Sequence, residues 1–258
     1  MKPTSRQPTE KDVIRANRRV YNSRSIEWYN ADSSIFNPNQ QQEIRAILED
    51  IKQRTRGERF LDVGCGTGNL LKIARDIFPE ILGVDVAEHL LAEVARREGL
   101  GQLISAEADH LPLPDCCLDC VGLFAVMHHM MDPLPALREA FRVLRPGGIL
   151  YTDHDINHYC SRFYHLWHLL RYRKRIAFHS AEEDLAEYHN VHTSGLNADT
   201  LRSGLLDIGF EHVEIKYHNS TREDLAGIYR FALPAMKAVT KILPLASLHT
   251  HFLILATK

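Results

Sequence analysis

Three groups of residues have the types and spacing to do chemistry. The first is Asp62-Val63-Gly64-Cys65-Gly66-Thr67-Gly68, an acid followed by glycine at every second position. Glycine lets the backbone take positive φ and brings ligand atoms against main-chain N–H groups, which suits a nucleotide-type ligand. The second is Asp85, which ends the short apolar run Ile81-Leu82-Gly83-Val84. A carboxylate at the end of a strand beside such a loop can accept the hydrogen bonds of both ribose hydroxyls, although capping the next helix would also use it. The third is His128-His129 with His154, imidazoles able to take up a proton near neutral pH.

These side chains need strands and turns to hold them. Residues 60–63 read as a strand that enters the glycine loop, and Leu70, Ala74, Ile77 and Phe78 continue a helix that Pro79 stops. Ahead of them, Ile44, Ile47, Leu48 and Ile51 recur at helical spacing and form an architectural helix. Between 13 and 29 the chain mixes Arg15, Arg18, Arg19 and Arg24 with Val20, Tyr21, Trp28 and Tyr29. This is either a helical lid with its aromatic side on the sheet or a surface helix with solvated arginines. Residues 102–106 read as a third strand. Leu134, Leu137, Phe141 and Leu144 then mark a helix, and Pro146-Gly147-Gly148 turns the chain into a fifth strand over 149–153.

The loop spacing separates two kinds of cofactor. A dinucleotide fingerprint would place glycine at 64, 66 and 69, but residue 69 is asparagine, which speaks against a nicotinamide-dependent reductase. The motif Asp62-x-Gly64-x-Gly66-x-Gly68 instead resembles the first motif of the class I S-adenosylmethionine-dependent methyltransferases. Asp85, Glu107-Ala108-Asp109-His110-Leu111-Pro112, the stretch 118–133 and Arg142-Val143-Leu144-Arg145-Pro146-Gly147-Gly148 follow in that family's order over residues 60–153. The likeness is greatest to the small-molecule branch that includes the ubiquinone and menaquinone methyltransferases.

This resemblance implies an α/β fold: a doubly wound, mostly parallel seven-stranded sheet with an antiparallel last strand, plus an inserted helical cap. A helix over 196–206 and strands over 209–215 and 251–256 would complete it. It implies S-adenosyl-L-methionine as cofactor, with Asp62 and the Gly64 main chain at the methionine end, Gly66 and Gly68 completing the loop, and Asp85 on the ribose. The adenine ligand is Glu107 with the Ala108 amide, or Asp109, because Glu107 stands where aspartate is commoner. Leu123 and Phe124 replace frequent serines, so the rim is apolar, and Phe124 joins the cofactor-binding set. Tyr21 or Tyr29 could cover the methionine end. His129 is the first candidate for a base, with His128 and His154 behind it, although the His-His pair could equally only brace the loop.

Residues 1–38 are expected to form a tail and lid and 39–258 the methyltransferase domain, with 154–195 as an inserted substrate cap. In that segment Tyr159, Phe163, Trp167 and Leu170 recur at near-helical spacing, which is either core packing or an acceptor box. The basic run 171–175 lies upstream of Glu182, Glu183, Asp184 and Glu187, which are expected to pair with it on a solvated face.

Composition limits the partners. The 258 residues are 45% hydrophobic, enough for a sizeable core, and the formal net charge is −2. No basic field draws the chain to nucleic acid, so a small-molecule acceptor is expected rather than RNA, and a monomer or homodimer. No signal-peptide core or bilayer-length apolar run is present, and Cys65, Cys116, Cys117, Cys120 and Cys160 form no disulfide framework. A cytoplasmic location is therefore expected. His154/His158, His189/His192 and Cys117-x-x-Cys120 each lack a second pair or a fixed acid, so no metal is expected.

The sequence as a whole is expected to encode an S-adenosylmethionine-dependent methyltransferase acting on an oxygen or activated carbon of a small, largely apolar acceptor. The alternatives are a non-catalytic S-adenosylmethionine-binding protein and, behind it, an RNA methyltransferase.

Overall fold

Seven strands form one sheet in the order β3-β2-β1-β4-β5-β7-β6. They are β1 Arg59–Val63, β2 Glu80–Asp85, β3 Leu103–Ser105, β4 Leu118–Phe124, β5 Leu144–Ile156, β6 His212–His218 and β7 His251–Thr257. The computed structural model describes residues 7–31, 38–100, 102–159, 180–218, 246 and 249–258. β1 to β5 pair in parallel, while β7 runs antiparallel to both β5 and β6, as the sequence led us to expect.

Alternation along the strands divides the core in two. Phe60, Cys120, Ile149, Tyr151, Leu253 and Leu255 face one layer, with Ile44, Leu48 and Ile51 of helix α3 (Pro38–Thr55). The same layer holds residues of α4 (Asn69–Ala74) and α5 (Glu88–Glu98). Leu61, Val121, Leu150, Ile254 and Ala256 face the other, against α6 (Leu134–Val143) and, from farther along the chain, the helix Ala198–Ile208. The period-2 alternation of apolar side chains places helices on both faces of the sheet.

The segment from 13 to 29 is two helices rather than one. Helix α1 (Glu10–Asn22) ends at Ser23, and α2 (Ile26–Ala31) restarts three residues later. The side chain of Tyr29 lies outside those described. Between β5 and β6 the described residues form α7 (Ala181–Ala186), α8 (Tyr188–Val191) and α9 (Ala198–Ile208). Phe163, Trp167, Leu170 and the basic run 171–175 lie outside the described residues. Among those described, no helix is long and apolar enough to cross a membrane.

Candidate active site

The glycine loop leaves β1 with Gly64, Gly66 and Gly68 all at positive φ, and α4 begins directly after it. At Gly64, a Cβ would lie 2.2 Å from Val126 Cγ2, so only glycine fits between this backbone and the β4 loop. Asp85, at the end of β2, faces the same loop. Its Oδ2 accepts from the Gly66 N–H and its Oδ1 from the Ala87 N–H, each at 2.9 Å. A carboxylate oxygen accepts two hydrogen bonds, so acceptor capacity remains for ligand hydroxyls. Burial raises the Asp85 pKa, against the lowering effect of the Ala87, Gly66 and Val86 N–H groups.

These groups open onto a common cleft. Its walls include Gly64, Gly66, Asp85, Glu107, Ala108, His129 and the side chains Val13, Asn17 and Tyr21 of α1. Bare backbone beside a strand-end carboxylate fits S-adenosylmethionine. Four carboxylates, Glu10, Glu107, Asp109 and Asp132, also line it. Burial, followed by the charges of Asp109, Asp132 and Glu107, raises the Glu10 pKa.

Other predicted residues support the cleft rather than line it. Asp62 is only 2% exposed; burial and then the Asp85 charge push its pKa well up. Gly68 packs its α-carbon toward Leu100 and Val94. The Phe124 ring is stacked on His154 at 4.5 Å, away from the lining residues. His128 is buried, and its ring Nδ1 and its backbone N–H both meet Asp155 Oδ1, at 2.8 and 2.9 Å. Burial lowers the His128 pKa, but the Asp155 hydrogen bond and the Glu187 and Asp155 charges outweigh it and raise the pKa overall.

His129 is the histidine at the cleft wall. Its Nδ1 lies 2.8 Å from the Ala186 carbonyl, which can only accept, so Nδ1 carries the proton and Nε2 presents a lone pair. Burial, and then the neighbouring His128, hold its pKa down at about 4. The Tyr21 hydroxyl stands 3.3 Å from that Nε2 and donates to Glu187 Oε1 at 3.1 Å. Glu187 keeps a lowered pKa despite its burial, because His129 and His128 favour the charged form.

Helix α1 therefore acts as a roof. Asn17 Nδ2 donates to the His129 carbonyl at 3.0 Å, Arg18 Nε donates to the Val86 carbonyl at 3.2 Å, and Arg18 lies 3.7 Å from Glu107. Arg19 pairs with Glu182 at 3.1 Å and Arg24 pairs with Glu183. Acids expected to pair with the run 171–175 thus hold the roof helix. Spacing also gave no sign of what supports the loop after β3. Arg142 donates to the Leu113 and Leu111 carbonyls at 2.8 and 3.0 Å and pairs with Glu139 and Asp115, while Glu139 accepts from the Leu111 N–H at 2.8 Å. Its place in the turn motif pointed only to topology.

The strand order, the glycine loop and the acid at the next strand end define a Rossmann-like cofactor-binding protein. Residues 61–152 match the family described as a methyltransferase domain. The chain is 32% identical to the ubiquinone/menaquinone biosynthesis C-methyltransferase of Yersinia enterocolitica over 182 residues, 64% of this chain and 70% of that protein. It is 28% identical to the malonyl-[acyl-carrier protein] O-methyltransferase of Serratia marcescens over 50% of this chain and 48% of the relative. Among solved structures, the [4+2]-cyclase SpnF shows a TM-score of 0.53 at 26% identity, covering 85% of this chain and 82% of that one. The chain belongs to the class I S-adenosylmethionine-dependent methyltransferases. It spans about half the length of the mycobacterial relatives it matches, 56% and 54%.

Proposed function

We propose that the chain transfers the methyl group of S-adenosylmethionine to an oxygen or activated carbon of a small, largely apolar acceptor bound against His129, Met130 and Met131. The observation that carries this reading is the fixed tautomer of His129, whose Nε2 lone pair stands at the cleft beside the Tyr21 hydroxyl. Bound S-adenosylmethionine supplies a sulfonium methyl already activated for in-line displacement. The protein's work is then to position the acceptor and to take its proton.

Asp85 would hold the ribose, Glu107 and the Ala108 amide the adenine, and the Gly64 and Gly66 main chain the methionine end. His129 Nε2 receives the acceptor's proton, and Tyr21 links it to the Glu187 carboxylate. Oxygen and carbon acceptors are supported by the likeness to an O-methyltransferase and a C-methyltransferase.

A second reading, cofactor binding without methyl transfer, is favoured by the likeness to a cyclase. The test is incubation with S-adenosylmethionine and panels of phenols, quinols and carboxylic acids, read as S-adenosylhomocysteine formed. Turnover with one class, lost roughly 100-fold or more in His129→Asn at unchanged cofactor affinity, supports the proposal. Cofactor binding without product across the panels favours the second reading, and absence of cofactor binding overturns both.

A further inference from the structure

We propose that Asp153, His154 and His218 form a binding site for a first-row divalent transition-metal cation, with Zn²⁺ the best match to the donors. The site stands apart from the cofactor cleft and does not depend on the acceptor reading.

The geometry begins with a bulge. The β5–β7 register shifts between Thr152 and Asp155, so Asp153 and His154 sit where the ladder is interrupted. Bulges re-aim side chains, and His154 takes φ +67, a conformation that costs a branched-off Cβ strain. Its imidazole is only 3% exposed. Neither ring nitrogen makes a hydrogen bond, although Nδ1 lies 3.0 Å from Asp153 Oδ1. A buried polar ring left without hydrogen bonds calls for a partner of another kind.

That short but misaligned approach is how two ligands of one ion sit. His218 Nε2, from edge strand β6, is hydrogen-bonded to the same Asp153 Oδ1 at 2.7 Å, a contact that an entering cation would replace; Oδ1 also accepts from the His154 backbone N–H at 2.6 Å, and the three donor atoms fall within 4.8 Å of one another. Tetrahedral Zn²⁺ with bonds of about 2.0–2.1 Å separates its ligands by about 3.3 Å. Two imidazole nitrogens and one carboxylate oxygen suit Zn²⁺ and its first-row neighbours, and leave a fourth position for water or a ligand oxygen.

The surroundings fix the donors. The Tyr151 hydroxyl donates to Asp153 Oδ2 at 3.0 Å, leaving Oδ1 to face the imidazoles. Phe124 stacks on His154 and holds its ring plane. His251 flanks both histidines, with ring centroids 5.5 and 5.8 Å away. The Ala125 N–H donates to the Asp153 carbonyl at 2.8 Å, which joins this site to the cleft wall. The other convergent set, His128, His129 and Glu187, differs in that His129 lines the cleft and its Nε2 faces the Tyr21 hydroxyl, so it is assigned to the proton chemistry proposed above.

The test uses the full chain, stripped with chelator and titrated with Zn²⁺ against a chromophoric competitor, then loaded with Co²⁺. We expect one Zn²⁺ per chain, visible Co²⁺ bands, and at least a roughly tenfold loss of affinity in Asp153→Asn and His218→Ala. His218 is 28% exposed on the edge strand, so His218→Ala should retain its fold, checked by circular dichroism, with His218→Gln as a second variant. His129→Gln should keep one Zn²⁺. Absence of stoichiometric binding, unchanged affinity in the folded His218 variants, or loss confined to His129→Gln overturns the site.

Discussion

Tyr21 sets its hydroxyl 3.3 Å from Nε2 of His129, more than one hundred residues later in the chain, so the roof helix meets the β4 loop at the cleft. The ring contact is edge-on, with centroids 5.4 Å apart. This contact joins helix position to proton chemistry, and the first prediction follows from it. Tyr21→Phe keeps the ring packing and removes the link to Glu187. It should lower kcat about 10-fold or more while leaving the Kd for S-adenosylmethionine within a factor of about three. An equal rise in Kd would show that Tyr21 only holds the roof.

Proton linkage gives the second. The folded pKa of His129, about 4, lies below the ordinary histidine value of 6.5. Between those values the unfolded chain binds a proton that the folded chain does not, so stability is present above about pH 6.5 and is lost as pH falls toward 4. The full swing is on the order of 3 kcal/mol. His128 acts in the opposite sense: its raised pKa adds stability below 6.5 that is lost as pH rises through the folded value. Denaturant melts of His129→Asn at pH 4.5 and 7 should show a flatter acid limb than the parent. An unchanged limb would refute the assignment.

Bare backbone and the ribose-type carboxylate give the third. Gly64→Ala places a methyl 2.2 Å from Val126 Cγ2 in a positive-φ position, and Asp85→Ala removes the acceptor for ligand hydroxyls. Isothermal titration should show cofactor affinity falling roughly 100-fold in Asp85→Ala. It should show none measurable in Gly64→Ala. Micromolar binding in both variants would move the cofactor elsewhere.

Support of the loop after β3 gives the fourth. Arg142→Ala removes three contacts that tie residues 111–115 to α6 and leaves Glu139, whose pKa Arg142 holds down, without its ion-pair partner. We expect a loss of about 2 kcal/mol, hence a Tm lower by about 4–8 °C, and a weaker hold on the cofactor through Glu107 and Ala108. Differential scanning fluorimetry with and without cofactor separates the two effects.

The first strands, the glycine loop and Asp85 were legible because each rests on local spacing: apolar runs of strand length, glycines where a Cβ cannot fit, an acid at a strand end; the seven-stranded sheet came from the family resemblance. The break at Ser23 was not, because both halves of 13–29 carry the same amphipathic pattern. Nor could spacing tell which histidine faces the cleft. His128 and His129 are adjacent, and the choice is made by Asp155 and by the Ala186 carbonyl, groups supplied by distant elements. The Asp153–His218 approach spans 65 residues and two strands that meet only through β7. Phe124 read as a rim residue until the His154 ring took its face.

The carboxylates of Glu10, Glu107, Asp109 and Asp132 around the cleft also bias traffic through it. A sulfonium ligand carries one more positive charge than the thioether left after methyl loss, so a negatively charged mouth attracts the incoming molecule more strongly than the outgoing one. Association should therefore slow as salt is added, on the scale of a Debye length of about 10 Å at 0.1 M, while release of the thioether stays nearly indifferent to ionic strength. The cleft discriminates fresh cofactor from spent by the charge that the reaction removes.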